Sequence, residues 1–384
     1  MSAPSAQRRF DLRRFLLSGQ GWPYLLVPFI PIALALDLGG APAEVVFSAS
    51  ALGVIPTAAL MGKATEELAA RSGPGIGGLL NVTFGNAPEI IIAVFALAEG
   101  LQEVVKASLV GSILGNTLLV LGAAMFVGGL KRDRQTFNRT AAMAQSGMLL
   151  LATAGLVMPA IFEMVEGQGL PKPAAEIVRY DSTVEQLSAG VAIILLVTYA
   201  AGLLFSLRTH RDLFNPIREG EEAEEGGDSH EPWTVRRSVL ALAIAGVAVG
   251  VMSEVLVGSI SEAAEGIGLS EFFIGVIVVA VVGNAAEHWV AVYVAAKNKM
   301  DLAVNIAIGS AAQVALFAVP LLVLLSFVIG DFPMPLVFNG FELGGIVIAV
   351  LIAMHVTSDA ESTWFEGLQL MALYVLLGLT FLLA

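Results

Sequence analysis

The chain has 384 residues, of which 57% are hydrophobic and 14% charged, with a formal net charge of −13 and a mean hydropathy of +0.81. A soluble globular chain carries about 25% charged residues, so a soluble core cannot bury this apolar excess. The negative charge would repel the phosphates of a nucleic acid, and the lack of cysteine excludes disulfides, thiolate metal sites and cysteine nucleophiles. The composition predicts an all-α polytopic membrane protein in a lipid bilayer, with no nucleic-acid partner.

Eleven apolar runs follow one another along the chain. A helix of about 20 residues crosses a hydrocarbon core of roughly 30 Å. We predict transmembrane helices at 22–38, 43–62, 75–98, 104–129, 140–162, 186–207, 236–259, 270–296, 302–328, 340–357 and 364–383. The first run contains Pro23, Pro28 and Pro31 and lacks a clear small-residue cleavage site, so we do not interpret it as a signal peptide.

The basic residues indicate the orientation of these helices. With a cytoplasmic N-terminus, 17 of the 20 Lys and Arg fall in inner segments, and only Lys106, Lys172 and Arg179 fall outside. Cytoplasmic loops are enriched in Lys and Arg, so we predict a cytoplasmic N-terminus and an outside C-terminus. The compact loops favour a prokaryotic plasma membrane, and an organelle is left open.

A motif is repeated in the two halves of the chain. Gly-Asn-Ala-Pro-Glu at 85–89 recurs as Gly-Asn-Ala-Ala-Glu at 283–287, an offset of 198 residues (283 minus 85). Each half has five helices, an odd number, so equivalent helices of the two halves would cross the membrane in opposite directions. Such an inverted repeat is typical of secondary transporters with a site near the midplane. The predicted domains are the N-terminus with an extra first helix (1–42), a first inverted repeat (43–207), an acidic cytosolic linker (208–235) and a second inverted repeat (236–384).

Each motif places a glutamate, Glu89 or Glu287, inside an apolar run. A single such residue could reach the interface or stay neutral against a neighbouring helix, but two at equivalent places predict a shared cation and proton site. Pro88 would free a backbone carbonyl, and Asn86 and Asn284 add amide oxygens. Hard oxygens with two carboxylates suit Ca²⁺, with Mn²⁺ left open, whereas Na⁺ would need fewer formal charges.

Small and polar residues lie near these motifs in the sequence. We expect the following beside the site: Gly85, Gly283, Ser112, Ser310, Asn116, Gln313 and His288. Small residues also allow close helix approach, which is the alternative explanation. The amides of Asn116 and Gln313 need hydrogen-bond partners, which a facing site would supply. His288 could relay protons, orient Glu287 or pack as a neutral side chain.

Acidic residues also occur outside the apolar runs. The linker carries Glu219, Glu221, Glu222, Glu224 and Glu225, followed by Asp228 and Glu231. We interpret this run first as a solvated linker that attracts cations and second as a regulatory segment. Glu66 and Glu67 either line the cytosolic approach to the site or are solvated.

The two motifs, the Ser-containing helices after them and Ala-Thr-Glu-Glu-Leu at 64–68 resemble the Ca²⁺/H⁺ exchanger (CAX) family of the Ca²⁺/cation antiporter superfamily. The resemblance covers essentially the whole chain. It implies one extra helix plus two inverted five-helix halves joined by an acidic segment, with Glu89 and Glu287 as the Ca²⁺ and proton site. Asn86 and Asn284 map onto the motif asparagines, and Ser112, Ser310 and Gln313 are implied neighbours.

The implied function is antiport of Ca²⁺ against H⁺ by alternating access, without a cofactor, and a homo-oligomer is left open. Antiport of Mn²⁺ or another divalent cation against H⁺ is an alternative, and a Na⁺-coupled Ca²⁺ exchanger is a further, less favoured one. Sodium-coupled relatives share the architecture but typically carry different repeat motifs. An intramembrane enzyme is disfavoured because the runs lack a His-Glu-x-x-His pair, paired aspartates and a Ser/His arrangement. A channel is disfavoured because broken, pseudo-symmetric helices suit alternating access better than a continuous pore.

Overall fold

The computed structural model describes residues 21–167, 169–172, 180–209, 233–330 and 332–384. Helices make up nearly all of this part of the chain, as the composition predicted. The acidic residues between Glu219 and Glu231 lie outside the described residues, so their role stays a prediction.

Within the described residues, the first part of the chain has seven α-helices after a 3-10 turn at Trp22–Leu26. They are α1 (Phe29–Leu38), α2 (Ala43–Gly85), α3 (Ala87–Ala98), α4 (Gln102–Leu114), α5 (Leu121–Gly129), α6 (Arg139–Glu166) and α7 (Ser182–Leu204). A π-helical turn at Gly115–Val120 makes α4 and α5 one continuous rod, and another at Phe205–Thr209 extends α7.

The second part of the described chain contains eight helices. They are α8 (Val235–Gly258), α9 (Ile260–Ile267), α10 (Glu271–Phe273), α11 (Ala280–Ala296), α12 (Met300–Gln313), α13 (Val319–Leu325), α14 (Gly340–Val356) and α15 (Trp364–Leu383). A π-helical turn at Ile274–Val279 joins α10 to α11, and one at Val314–Ala318 joins α12 to α13.

The described residues contain eight helices that are long and apolar enough to cross a membrane. A further pair, Ile76–Gly85 with Ala87–Ala98, passes the same test as a span bent by 41°, and Trp22–Leu38 and Gly340–Val356 are shorter apolar helices. Every predicted run falls on one of these segments. The molecule is a helical membrane protein.

The polar segment after the second apolar run is helical, where the sequence analysis placed a break between runs. Lys63 lies 3.7 Å from a carboxylate oxygen of Glu66 and 3.1 Å from one of Glu67. Such pairs one turn apart stabilise a helix, so α2 continues although its apolar stretch has ended. Hydropathy indicates where a helix leaves the apolar layer, and here it does not indicate where the helix ends.

The long helix α2 nevertheless folds back on itself. Gly77 lies directly against the backbone of Ala69, so that a Cβ at Gly77 would overlap the Ala69 carbonyl. In a straight helix, residues eight apart are separated by about 12 Å along the axis. The chain therefore reverses between these two residues, which brings the motif at 85–89 back into the centre of the molecule.

At one end of the molecule, three connecting segments meet. Gln135–Thr136 (β1) pairs antiparallel with Glu361–Ser362 (β2), a short pairing that the sequence analysis did not find. Arg134 Nη1 lies 2.8 Å from Glu361 Oε2, and Gln135 Nε2 donates to Asn298 Oδ1 at 2.9 Å. The distribution of basic residues assigned all of these segments to the cytosolic side.

At the opposite end, another set of segments meets. Gln102 Nε2 donates to the Phe332 carbonyl at 2.6 Å, and the Leu336 N–H donates to Ser188 Oγ at 3.0 Å. Lys106 Nζ donates to the Val337 carbonyl at 3.1 Å. The predicted orientation assigns this end to the outside.

Among the long apolar helices of the described residues, the rod α4–α5 is the most buried, and the rod α12–α13 and the first part of α2 follow it. Where α4 crosses the π-helical turn ahead of α11, Gly111 contacts the Val276 carbonyl and Gly275 lies against Ala107. Any side chain at either glycine would push the two helices apart. This close crossing sets the position of the second motif relative to the first half of the chain.

Candidate cation site

The two repeated motifs meet in the core, and each glycine faces the other motif's glutamate. A Cβ placed on Gly283 would lie 3.3 Å from Glu89 Cγ, and one placed on Gly85 would lie 3.9 Å from Glu287 Oε1. The approach is therefore reciprocal, and both carboxylates face the same crossing. Glycine leaves the space that each carboxylate occupies.

The first motif contains a helix break. Helix α2 ends at Gly85, Asn86 has φ −96° and ψ 14°, and α3 begins at Ala87 with Pro88 in its first turn. Proline suits this position because a first-turn N–H has no partner in the helix. Glu89 consequently lies in the first turn of α3, where the helix dipole stabilises negative charge.

The second motif lies within a continuous helix. Asn284 is inside α11, and its Nδ2 donates to the Ala280 carbonyl at 2.9 Å and to Ser112 Oγ at 3.1 Å. One turn later, Glu287 Oε2 accepts a hydrogen bond from Ser310 Oγ at 2.7 Å. The second carboxylate is thus held by a hydroxyl of α12.

The two motif asparagines bond across the halves. Asn86 Nδ2 donates to Gln313 Oε1 at 2.8 Å, and Asn284 donates to Ser112 of α4. Each asparagine therefore binds the polar helix that follows the other motif. Of the expected neighbours, Gln313, Ser112 and Ser310 contact the motif residues directly.

Two buried oxygens at the crossing have no hydrogen-bond donor among the described residues, Glu89 Oε2 and Asn284 Oδ1. Buried acceptors are normally satisfied, and a cation is a suitable partner for both. The described residues contain no cluster of three His, Asp or Glu that could hold a metal. Any ion at the crossing would therefore use two carboxylates supplemented by amide, hydroxyl or water oxygens, which is a donor set that Ca²⁺ accepts.

The other two expected neighbours behave differently. Asn116 is fully buried, and neither its Oδ1 nor its Nδ2 has a partner among the residues that the structure covers. His288 faces Gly115, since a Cβ there would lie 3.8 Å from His288 Cε1, and His288 Nε2 likewise has no partner in the described chain. The hydrogen-bond partner that the sequence analysis expected for Asn116 is not seen among them.

Glu67 differs from both interpretations made from the sequence. Its side chain is 11% exposed, and its Oε2 accepts the Trp233 backbone N–H at 2.8 Å. Glu66 is 64% exposed. Glu67 thus holds the segment that leads into α8, while Glu66 remains at the surface.

A buried ionic cluster lies near the end that the predicted orientation assigns to the outside, and the sequence analysis did not predict it. Lys106 is 2% exposed and forms an ion pair with Glu103 of the same helix. Glu342 is fully buried, and its Oε2 accepts the Asn339 backbone N–H at 2.8 Å. The signal was present, because Lys106 and Glu342 fall inside predicted apolar runs, where a charge needs a partner.

Sequence comparison places the chain among known transporters. Residues 43–208 and 237–383 match the family described as sodium/calcium exchanger protein. The chain belongs to this family. It is 44% identical to the Ca²⁺/H⁺ antiporter ChaA of Bacillus subtilis (strain 168) over 94% of its own length and 98% of that protein. It is 42% identical to a Ca²⁺/H⁺ antiporter of Synechocystis, covering 93% of this chain and 96% of the relative.

The fold is also similar to solved structures. The structure of native YfkE is 40% identical and superposes with a TM-score of 0.78, covering 94% of this chain and 100% of that one. The crystal structure of the H⁺/Ca²⁺ exchanger CAX superposes with a TM-score of 0.68 at 14% identity, covering 97% and 93%. The second likeness is one of fold alone.

Proposed function

We propose that the protein is a secondary antiporter that exchanges Ca²⁺ for H⁺ across a membrane, with Glu89 and Glu287 as the shared ion site. The reciprocal approach of each glutamate to the other motif's glycine carries this proposal. The relatives from Bacillus subtilis and Synechocystis, which are named Ca²⁺/H⁺ antiporters and match nearly the whole chain, support it.

The pair of carboxylates couples the two ions by competition. Ca²⁺ needs both carboxylates ionised, whereas protons neutralise the same oxygens when the cation leaves. Bound Ca²⁺ or bound protons each neutralise the two carboxylates, which removes most of the free-energy cost of holding negative charge in a low-dielectric site. A site that is neutral with either ion, and exposed to one side at a time, exchanges them without a separate coupling device. An inward proton gradient would then drive Ca²⁺ out of the cytosol.

Asn86, Asn284, Ser310 and Gln313 complete the proposed site. The asparagine amides tie each motif to the opposite half, which holds the carboxylates at a fixed separation. The Ser310 hydroxyl donates to Glu287 and so stabilises its ionised form. The chain itself supplies all of the groups, and no cofactor takes part.

We also propose that the chain crosses the membrane eleven times, as one extra helix and two inverted five-helix repeats. The bent pair and the two shorter apolar helices supplement the eight longer ones. The π-helical turns support the repeat. When the turn at Gly115–Val120 is shifted by 198 residues it covers 313–318, and this range includes the observed π-helical turn Val314–Ala318. The two segments that match the family have nearly the bounds of the proposed repeats.

Flux into proteoliposomes tests the function. With the purified protein and an imposed pH gradient, we expect ⁴⁵Ca uptake that collapses when a protonophore dissipates the gradient. Excess Na⁺ should not drive uptake. Inhibition of ⁴⁵Ca uptake by Mn²⁺ measures how well the site accepts that ion. Uptake driven by voltage or the Ca²⁺ gradient alone would indicate a channel, and uptake that requires a Na⁺ gradient would indicate sodium coupling.

A further inference from the structure

Polar residues on α12 form a line that leads away from the proposed site. Asp301, Asn305, Gly309 and Gln313 follow one another at intervals of four residues, so they share one face of the helix. Asp301 lies at the end of α12 where the connecting segments meet, one residue after Met300. Gln313 lies at the other end, bonded to Asn86.

Helix α6 supplies matching polar groups opposite this line. The Asn138 backbone N–H donates to Asp301 Oδ1, and Gln145 Nε2 donates to Asn305 Oδ1. A Cβ on Gly309 would lie 3.6 Å from Gln145 Nε2. The polar line on α12 therefore continues into a two-helix seam, which we call the amide file: Asp301, Asn305, Gly309, Asn138 and Gln145.

The amide file is open at one end and joins the site at the other. Asn305 is exposed, whereas Gln145 is 8% exposed, and Gln145 Oε1 has no hydrogen-bond partner among the described residues. An unpartnered buried carbonyl in a polar setting is usually satisfied by water. Beside Gly309, Ser310 donates to Glu287, so the file ends one residue from a group bonded to the carboxylate.

The chemistry of the file suits protons better than calcium. Its only carboxylate is Asp301, at the end of the file away from the site, and uncharged amides and a glycine lie between Asp301 and the site. A dication would lose most of its hydration there without gaining ionic ligands. Hydrogen-bonded water held by amides can nevertheless pass a proton along.

We propose that the amide file is the cytosolic proton route of the exchanger, separate from the path that Ca²⁺ takes. This rests on the proposed antiport function. When Ca²⁺ displaces the proton of Glu287, the O–H bond of the carboxylic acid breaks, and the proton transfers to water in the file. It then leaves as hydronium into the cytosol, and the carboxylate keeps the electron pair.

Two exchange modes distinguish this role from simple packing. Gln145→Leu and Asn305→Leu replace each amide with an apolar side chain, so hydrogen bonding is lost. We expect pH-driven ⁴⁵Ca uptake to fall about tenfold, the equivalent of roughly 1.4 kcal/mol in barrier, while Ca²⁺/Ca²⁺ exchange, which moves no net protons, stays within about twofold of wild type. Asn305→Ser, which keeps a polar group, should recover most of the uptake. The control is Thr153→Val, also on α6 and buried, whose hydroxyl bonds only its own helix at the Leu149 carbonyl.

An equal fall of both modes would show that the file only packs the helices and would overturn the proposal, as would unchanged uptake in both Leu variants. Failure of the antiport function itself would be seen separately, as a lack of pH-driven uptake in the wild type. Because the chain has no cysteine, Asn305→Cys can also be labelled selectively. In inverted vesicles, a membrane-impermeant thiol reagent should modify it and not Ile306→Cys, and protection of Asn305→Cys would contradict a hydrated file.

Discussion

The two motif helices carry the same Gly-Asn-Ala-x-Glu sequence on different backbones. The first is broken at Asn86 and bends by 41°, whereas the second runs without interruption through Ala280–Ala296. The difference follows from one residue, since Pro88 lacks the N–H that a helix interior requires and Ala286 has it. The motif residues of the two halves are thus nearly identical, while the backbones that carry them differ.

The second half contains its distortion elsewhere. A π-helical turn at Ile274–Val279 precedes the motif, about one turn before Asn284. Such turns occur frequently at functional sites. The first half therefore bends within its motif and the second is irregular ahead of its motif, so we expect conformational change to act on the two carboxylates unequally.

The largest expected effect comes from neutralising the glutamate that each motif contributes. Glu89→Gln and Glu287→Gln keep volume but can neither ionise nor carry a proton, so each should reduce Ca²⁺/H⁺ exchange by about a hundredfold or more, roughly 2.7 kcal/mol. Ca²⁺/Ca²⁺ exchange should fail with it. Isotope flux in proteoliposomes measures both. Glu99→Gln, an exposed residue that caps α3, is the control, and wild-type flux in either site variant would refute the shared pair.

Exchanging the proline between the motifs tests the mechanical difference. Ala286→Pro should interrupt α11 at a cost of about 3 kcal/mol or more and reduce transport more than tenfold. Pro88→Ala should remove the bend at Asn86 and lower the maximal rate severalfold while leaving Ca²⁺ binding nearly unchanged. Rates and equilibrium binding measured side by side check this. Equal losses of transport rate in Ala286→Pro and Pro88→Ala would mean that the helix break at Asn86 has no particular role in transport.

Smaller effects separate the two serines. Ser310 donates to a carboxylate and Ser112 accepts from an amide, and hydrogen bonds to charged groups contribute about 1.5–3 kcal/mol against about 0.5–1.5 for neutral ones. We therefore expect Ser310→Ala to weaken apparent Ca²⁺ affinity about tenfold and Ser112→Ala about threefold. Titration of uptake against Ca²⁺ concentration measures the difference, and the reverse order would contradict the assigned contacts.

The smallest effect is expected outside both halves. Replacing the acids between Glu219 and Glu231 with Ser or Gln should leave exchange present and change apparent cytosolic Ca²⁺ affinity by about threefold or less, because a solvated run acts through screened attraction. Uptake by correctly inserted protein is the readout. Complete loss of flux would make this segment part of the transport machinery.

The sequence predicts the helical membrane architecture well because apolar length and hydropathy are directly visible. The candidate pair, Glu89 and Glu287, could be found because the repeated motif lies in apolar runs. Contacts between distant polar residues could not be found in this way. Gln145 and Asn305 have no repeated motif, and the pairing of two-residue strands at Gln135 and Glu361 is too short for any periodicity.

Two other features of the structure are not visible in the hydropathy or in the distribution of basic residues. Lys63 with its acidic partners prolongs α2 beyond the point where hydropathy falls. Lys106 was counted as an outer-loop charge, although it is buried against Glu103 and the Val337 carbonyl. In both cases a lysine forms an ion pair with a glutamate three or four residues away on the same helix. Such spacing of opposite charges can be read from the sequence.

In the proposed mechanism, Ca²⁺ and protons compete for one pair of carboxylates, and proton release on Ca²⁺ binding tests this competition most directly. Calorimetric titration of the purified protein with Ca²⁺, repeated in buffers of different ionisation enthalpy, measures the protons released per ion. We predict net release in the wild type, weaker Ca²⁺ binding as the pH falls, and clearly smaller release in Glu89→Gln and Glu287→Gln. Tight Ca²⁺ binding without proton release, at a pH where the wild type transports, would contradict the shared-site account.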